Sequence, residues 1–291
     1  MENKDEQYPI IRLPEDQIPG ALREIPQPAK QLHYRGTLPD WSQIFLTVVG
    51  SRHYTGYGEN VTQKLIAGLA GYPVTIVSGL AMGIDAIAHE AALTNNIPTI
   101  AFPGSGLDWS VIYPAYNRKL AERILASGGA LFSELAHTQG AALWTFPRRN
   151  RLMAGIARAT LVIECTKKSG TLITARLALD YNRDLLTIPG PIFAESSSGP
   201  NELLRQGATP ITSVDDLLAA LGLVKSETNF IDDETLSPDE KKIIHLLMRS
   251  PRSRDDLVLD LEMSAQDVNT ILSLMEIKGL INEKLGQFWM K

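Results

Sequence analysis

Ile44-Phe45-Leu46-Thr47-Val48-Val49-Gly50-Ser51-Arg52-His53-Tyr54-Thr55-Gly56-Tyr57-Gly58 begins as an apolar run and breaks at a glycine, a hydroxyl and a cation. A continuous apolar run is what a strand buried on both faces requires. Glycines just after such a strand let the backbone approach an anion, and a helix that starts there presents the positive end of its dipole. Arg52 adds a planar fork suited to phosphate. The stretch therefore reads as the first strand of an α/β sheet opening into an anion-binding turn.

The same grammar continues downstream. Apolar runs at 45–49, 74–77, 99–102, 130–132, 161–163 and 185–188 alternate with helical segments at 59–70, 84–95, 117–126 and 171–182. Strands alternating with helices predict βαβ units, a mostly parallel sheet and helices on both faces, a Rossmann-like plan. Several runs end in small residues, as in Val77-Ser78-Gly79 and Ile188-Pro189-Gly190. In open α/β sheets ligands bind at the carboxyl ends of strands. Residues 1–43 hold Pro9, Pro14, Pro19, Pro26, Pro28 and Pro39 and are expected as an extended arm without a helix, adding an edge to the Rossmann-like domain at 44–222. The polar, aperiodic segment 223–235 reads as a linker. Residues 236–291 contain three helical patterns, at about 238–249, 253–260 and 264–277, and a final pair of short apolar segments, which together predict a small winged-helix-like domain.

Four loops could carry chemistry. The first is the Gly50-Ser51-Arg52 turn. Its spacing is not G-x-G-x-x-G, and the second strand ends in Ser78 rather than an acid, so a nicotinamide dinucleotide is not indicated. No G-x-x-x-x-G-K-[ST] occurs, which speaks against a P-loop nucleotidase. The second is Ser78-Gly79-Leu80-Ala81-Met82-Gly83-Ile84-Asp85, with His89 one helical turn beyond Asp85. Asp85 and His89 share a helix face, but no further histidine or carboxylate stands close in sequence, and packing or capping is the more economical role. The third is Phe146-Pro147-Arg148-Arg149-Asn150-Arg151 beside Trp144, the most basic short stretch in the chain. Arginines next to aromatic rings suit a single-stranded nucleic acid, with guanidinium on the backbone and ring faces on bases. The fourth, Lys167-Lys168-Ser169-Gly170-Thr171, repeats the logic of the first at another strand end; Arg118-Lys119 add a further basic point.

Bulk composition does not announce a nucleic-acid binder. The chain has 291 residues, 44% hydrophobic and 21% charged, with a formal net charge of −5. Any nucleic-acid site must be a local basic patch. A single cysteine, Cys165, excludes an internal disulfide and a multi-cysteine zinc site, and its place at a strand end points to a buried small residue. There is no signal-peptide pattern and no apolar run near the ~18 residues a membrane span needs. A cytoplasmic protein without membrane attachment, metal or cofactor is expected.

Read in order, these segments resemble the DNA processing protein A family, also called DprA or Smf. The family's pattern is matched by Val49-Gly50-Ser51-Arg52, by Ser78 through Asp85 with Ala88-His89, and by Tyr113-Pro114 through Leu120. It is matched again by Ser133-Glu134, Phe146 through Arg151, Glu164 with Ser169 through Ala175, and Ile188-Pro189-Gly190. The resemblance spans about residues 25–222. It implies an extended Rossmann fold that forms homodimers, binds single-stranded DNA without strong sequence preference and helps load RecA recombinase during natural transformation, with no reaction catalysed. The DNA-contacting set it implies is Gly50, Ser51, Arg52, Gly79, Lys119, Arg148, Asn150, Arg151, Lys168, Ser169, Gly170 and Thr171. Met82 departs from the basic residue common in relatives, and the family's helical N-terminal domain has no counterpart in the arm. The expected recognition helix of the C-terminal domain departs from a DNA reader as well, since residues 264–277 carry Asp267 and Glu276 and no lysine or arginine. Two other readings remain. A nucleoside-monophosphate phosphoribohydrolase-like enzyme would need G-G-x-G-T-x-x-E, whereas Thr171 is followed by Leu172, Ile173 and Thr174. A nucleotide-sensing regulator with a winged-helix output fits the acidic charge and two-domain plan.

Overall fold

The computed structural model describes residues 4–223, 237–249, 251–261, 263–278, 280–284 and 286–290. The chain divides into two compact units, Met1–Lys225 and Ser226–Lys291. Apart from Leu223, the expected linker lies outside the described residues.

The first unit opens with the single-turn helices α1 (Lys4–Gln7) and α2 (Gly20–Arg23) and the strands β1 (Ile11–Leu13) and β2 (Leu32–Gly36). There follow β3 (Ile44–Val49), α3 (Gly56–Ala67), β4 (Val74–Ser78), α4 (Ile84–Thr94), β5 (Thr99–Ala101) and α5 (Arg118–Ala126). Next come β6 (Ala130–Ser133), α6 (Thr145–Ile156), β7 (Ala159–Val162), α7 (Thr171–Asp180), β8 (Asp184–Thr187), α8 (Ser198–Arg205), β9 (Thr209–Pro210) and α9 (Val214–Ala220). The sheet runs β1-β2-β6-β5-β4-β3-β7-β8-β9, parallel from β6 to β9 and antiparallel at β1 and β2.

The two faces of β3 show how the pattern becomes layers. Phe45 and Val49 join one apolar cluster with Leu152, Met153 and Ile156 of α6. Leu46 and Val48 point to the other face, against Leu65 and Ile66 of α3 and Ile84 and Ala88 of α4. Alternation within a strand thus fills two cores, which is why the sequence reads as continuously apolar. From β3 the chain winds outward through β4, β5 and β6 on one side and then returns to β7 on the other side of β3. The order reverses between β3 and β7, and this switch point opens a crevice outside their carboxyl ends.

The proline-rich arm is more than an edge. Leu13, Ile18, Leu22, Ile25 and Leu32 are all buried within the same cluster as α6, and α1 and α2 are helices where none was expected. Both span only four residues, and α2 follows Pro19 at its N-cap. Proline forbids helix interiors but not a single turn begun after it. Helices α6 and α8 are further elements the strand–helix pattern did not reveal.

In the second unit, α10 (Pro238–Arg249), α11 (Arg254–Leu261) and α12 (Ala265–Ile277) pack with β10 (Arg252–Ser253), β11 (Ile281–Lys284) and β12 (Gln287–Met290). The small sheet has the order β10-β12-β11. Ile243, Leu257, Val268, Leu272, Ile281 and Phe288 form its core. Ser264 caps α12 by accepting the Asp267 N–H. The result is a winged helix.

Candidate nucleic-acid interface

A cleft of about 730 Å³ opens at the switch point, lined by the turn after β3, the turn before α7, and the start of α6. Gly50, Ser51 and Arg52 come from the first turn and Ser169, Gly170 and Thr171 from the second. Two loops separated by more than a hundred residues are thus joined, and a hydrogen bond ties them: the Thr171 hydroxyl donates to the Gly50 carbonyl at 3.0 Å. Thr171 in turn accepts from the Ser169 hydroxyl at 2.9 Å.

The first turn is built tightly. A side chain at Gly50 would meet Ile84 at 2.6 Å, so only glycine lets the turn lie on α4. Ser51 closes the turn by accepting the His53 N–H at 3.0 Å. Thr55 caps α3, accepting the Gly58 N–H at 3.2 Å. Glu164, 2% exposed at the end of β7, accepts both the Thr55 N–H at 2.9 Å and the Thr55 hydroxyl at 2.6 Å. An internal carboxylate therefore occupies the anion position at the start of α3. The expectation that this helix offers its N-terminus to a ligand is corrected; α7 is the helix whose start faces the cleft. Glu164 was visible in the sequence motif, but its partner was not.

Arg52 is exposed and stands over the Phe146 ring at 5.5 Å, within cation–π range. Phe146 also meets Tyr113, with ring centroids 5.9 Å apart. Trp144, half exposed, lies under Arg148 at 5.6 Å. Guanidinium and ring faces are thus presented together at the mouth of the cleft.

The basic stretch itself is split by its helix. Residues 148–151 are consecutive on α6, so 100° turns send them to different surroundings. Arg148 is half exposed and its Nε donates to Glu134 at 3.1 Å. Arg149 points inward: its NH1 donates to the Phe102 carbonyl at 2.9 Å and stands 3.9 Å from Asp85. Asn150 is buried and lines the cleft. Arg151 is buried on the side away from it, ion-paired with Glu134 and donating to the Gln27 carbonyl at 2.7 Å. Arg151, expected as a DNA contact, is thus placed in the interior and outside the cleft lining. Its charge holds the arm to α6.

Gly79, expected as a DNA contact, likewise lies outside the cleft lining. It is buried, its N–H donates to Asp85 at 3.1 Å, and a side chain there would collide with the Arg149 guanidinium. It makes room for Arg149 rather than facing a ligand. Burial pushes the Asp85 carboxyl up and the Arg149 guanidinium down, while the attraction between them opposes both shifts. His89 is buried with Nδ1 2.8 Å from the Thr99 hydroxyl, and burial pulls its imidazole down to about 3. Asp85 is held by Arg149 and the Gly79 N–H, and His89 by Thr99, so both serve the interior. Lys119 and Lys168 are exposed but do not line the cleft, whereas Arg118 spends its guanidinium on the carbonyls of Ile112 and Ser110. Cys165 is buried, and burial raises its thiol to about 12. Among the described residues no metal-binding group of acidic, histidine or cysteine side chains is present, and no helix is long and apolar enough to cross a membrane.

Residues 9–222 match the family described as DNA recombination-mediator protein A, and residues 232–287 match the DprA winged helix domain. Protein Smf of Synechocystis is 34% identical over 98% of this chain and 81% of its own. The X-ray structure of DNA processing protein A from Streptococcus pneumoniae superposes with a TM-score of 0.67 at 37% identity, covering 74% of each chain. A structure of the Helicobacter pylori protein, whose description concerns its single-stranded DNA binding mode, superposes with a TM-score of 0.66 at 30% identity over 74% of this chain and 96% of that one. The α/β unit and the winged helix are thus both matched, and the chain belongs to the DNA recombination-mediator protein A family.

Proposed function

We propose that this protein binds single-stranded DNA at the switch-point cleft and acts as a recombination mediator, holding incoming strands and passing them to RecA recombinase during natural transformation. The observation that carries the reading is the convergence of the β3 and α7 turns on one cleft with Arg52 over Phe146 at its mouth. Phosphates meet Arg52 and the start of α7, and bases meet ring faces, which is the chemistry of sequence-tolerant single-strand binding. The contacting set is Gly50, Ser51, Arg52, Ser169, Gly170 and Thr171, with Asn150 in the cleft wall and Lys119, Arg148 and Lys168 as outlying cations. The family relationship supports a homodimer assembled through the α/β unit and a cytoplasmic setting.

The test is a salt-dependent comparison of single- and double-stranded oligonucleotide binding by anisotropy. Each phosphate neutralised on a single strand contributes about −0.7 to the slope of log affinity against log salt. Arg52→Glu should weaken single-strand binding and flatten that slope; unchanged binding would remove the site.

A binding role is favoured over a hydrolase because the two buried carboxylates beside the cleft, Glu164 and Asp85, are engaged in structure. Glu164 holds Thr55 and Asp85 holds Gly79. Release of free base from a nucleoside monophosphate would overturn this.

A further inference from the structure

The winged helix keeps the shape of a nucleic-acid reader and reverses the charge on its reading helices. Within residues 237–291 every lysine and arginine lies outside 255–277, the stretch that holds most of α11, the turn after it and α12. That stretch carries Asp255, Asp256, Asp260, Glu262, Asp267 and Glu276 instead. Arg252 balances Asp260 at 3.7 Å. Asp256 and Asp267 accept the hydroxyls of Ser253 and Ser264 at 2.7 and 2.6 Å, which orients each carboxylate without neutralising it. Asp255 and Glu276 are exposed and form no ion pair among the described residues.

Apolar side chains stand among these acids. Leu259 on α11 is 75% exposed and Leu274 on α12 is 49% exposed. The buried stripe of α12 is Val268, Leu272 and Met275. Ile271 and Leu274, three residues apart, form a second stripe beside it, with Asp267 one turn before Ile271. Ile271 is only partly covered by the core, and Leu274 lies outside it. A lone exposed leucine is ordinary on a soluble surface. An apolar pair on neighbouring turns, framed by uncompensated acids, has the anchor spacing of helix-to-partner recognition.

The charge decides what can cover this face. A phosphate backbone brings negative charge to negative charge and finds no cation to exchange for its counterions. A second copy meeting the face through the same face sets acids against acids. A cationic protein segment satisfies both halves of the pattern: its lysines or arginines meet Asp255, Asp267 and Glu276, and its apolar side covers Ile271 and Leu274. We propose that α11 and α12 form a docking face for a basic amphipathic helix of a protein partner. The face belongs to a different compact unit from the cleft, and the proposal does not depend on strand binding.

The experiment titrates the full chain into a fluorescein-labelled peptide of lysine and leucine, about four helical turns long, whose leucines recur at i, i+3, i+4 and i+7 and so share one face. An isomer with the same residues in an order that gives no apolar face is the control. Amide signals of the isotope-labelled chain report where each peptide sits. The amphipathic peptide should bind about tenfold tighter than its isomer, weaken with salt, and shift signals of α11 and α12. Leu274→Ser should weaken it about threefold, and Asp255→Lys combined with Glu276→Lys about tenfold. These three positions are exposed, so the thermal midpoint and single-strand affinity should stay unchanged. Equal binding of the two peptides reduces the effect to bulk charge and overturns the proposal. So does an absence of binding, binding that ignores the substitutions, or signal shifts confined to the α/β unit. Duplex DNA that shifts the α12 signals would assign nucleic acid to the face instead. Shifts of α12 that depend on protein concentration without any peptide would assign a second copy, and either result overturns the proposal.

Discussion

The α/β cleft and the winged helix both look like places to hold nucleic acid, and they solve the charge problem in opposite ways. At the cleft an acidic chain concentrates its useful cation, Arg52, at a strand end beside a helix dipole and an aromatic ring. In the winged helix, the exposed positions of α12 are Ala265, Gln266, Asp267, Thr270, Ser273, Leu274 and Glu276, with no cation between Ala265 and Ile277. Its nearby arginines are engaged: Arg254 lies 3.7 Å from Glu283 and over the Phe288 ring, and Arg252 lies 3.7 Å from Asp260. A DNA-reading helix would carry its positive charge outward. Fold type therefore says less about a nucleic-acid site than where single guanidinia point.

The same contrast operates within the α/β unit, between Arg52, which faces the cleft, and Arg151 of α6, which builds the interior. Arg151→Ala should give the largest effect of any change considered, because it takes from the buried Glu134 carboxylate its buried partner and leaves it only the half-exposed Arg148. Breaking a buried ion pair costs about 3–5 kcal/mol, and thermal melting should show the fall while the folded fraction still binds strand. Next is Arg52→Glu, with a loss of roughly 1.5–3 kcal/mol in single-strand affinity from one charge-assisted contact and little change in melting. If Arg151 variants lost binding while remaining folded, the division between interior and interface arginines would collapse.

Acid should separate the two units. His89 in the α/β unit has its folded value pulled down to about 3 from an ordinary 6.5. The unfolded state then binds more protons between these values, so stability is complete above 6.5 and falls as pH drops toward 3, by up to ~1.4 kcal/mol per pH unit from this group. Glu240 in the winged helix acts with the same sign but at lower pH: hydrogen bonding to Lys278 lowers its carboxyl, so its contribution is present above the ordinary carboxylate range and is lost only as pH falls below it. Denaturant melts followed by NMR signals from each unit, taken from pH 6.5 to 5, should show the α/β unit losing about 2 kcal/mol and the winged helix holding. His89→Gln should flatten the first dependence. The smallest effect expected is on strand affinity when residues 226–291 are removed: less than threefold by anisotropy, under ~0.7 kcal/mol. A loss beyond tenfold would break the comparison.

Much of the site was legible because its parts are local. Glycine, serine and arginine after β3, and serine, glycine and threonine before α7, announce anion-friendly turns by composition alone. The arrangement that joins them was not, because strand order is a long-range property; only the return of β7 to the flank of β3 brings residues 50–52 to 169–171. Phe146 through Arg151 misled for a related reason. Read as a string it is a basic patch, but a helix distributes consecutive residues around its axis, and packing against the arm decides which side is interior. Gly79 likewise looks like a loop glycine until the guanidinium it accommodates is seen.

What the sequence by itself determined is the alternation of buried strands and helices, the winged helix at the end, and the turns able to meet phosphate, since each follows from short-range pattern and residue chemistry. What only the tertiary structure decided is which cations remain available. Arg151 is consumed by Glu134, Arg118 by backbone carbonyls and the start of α3 by Glu164, while Arg52 and α7 are left facing the cleft. The physical reason is that a charge is a property of a residue, but its availability depends on what the fold places beside it.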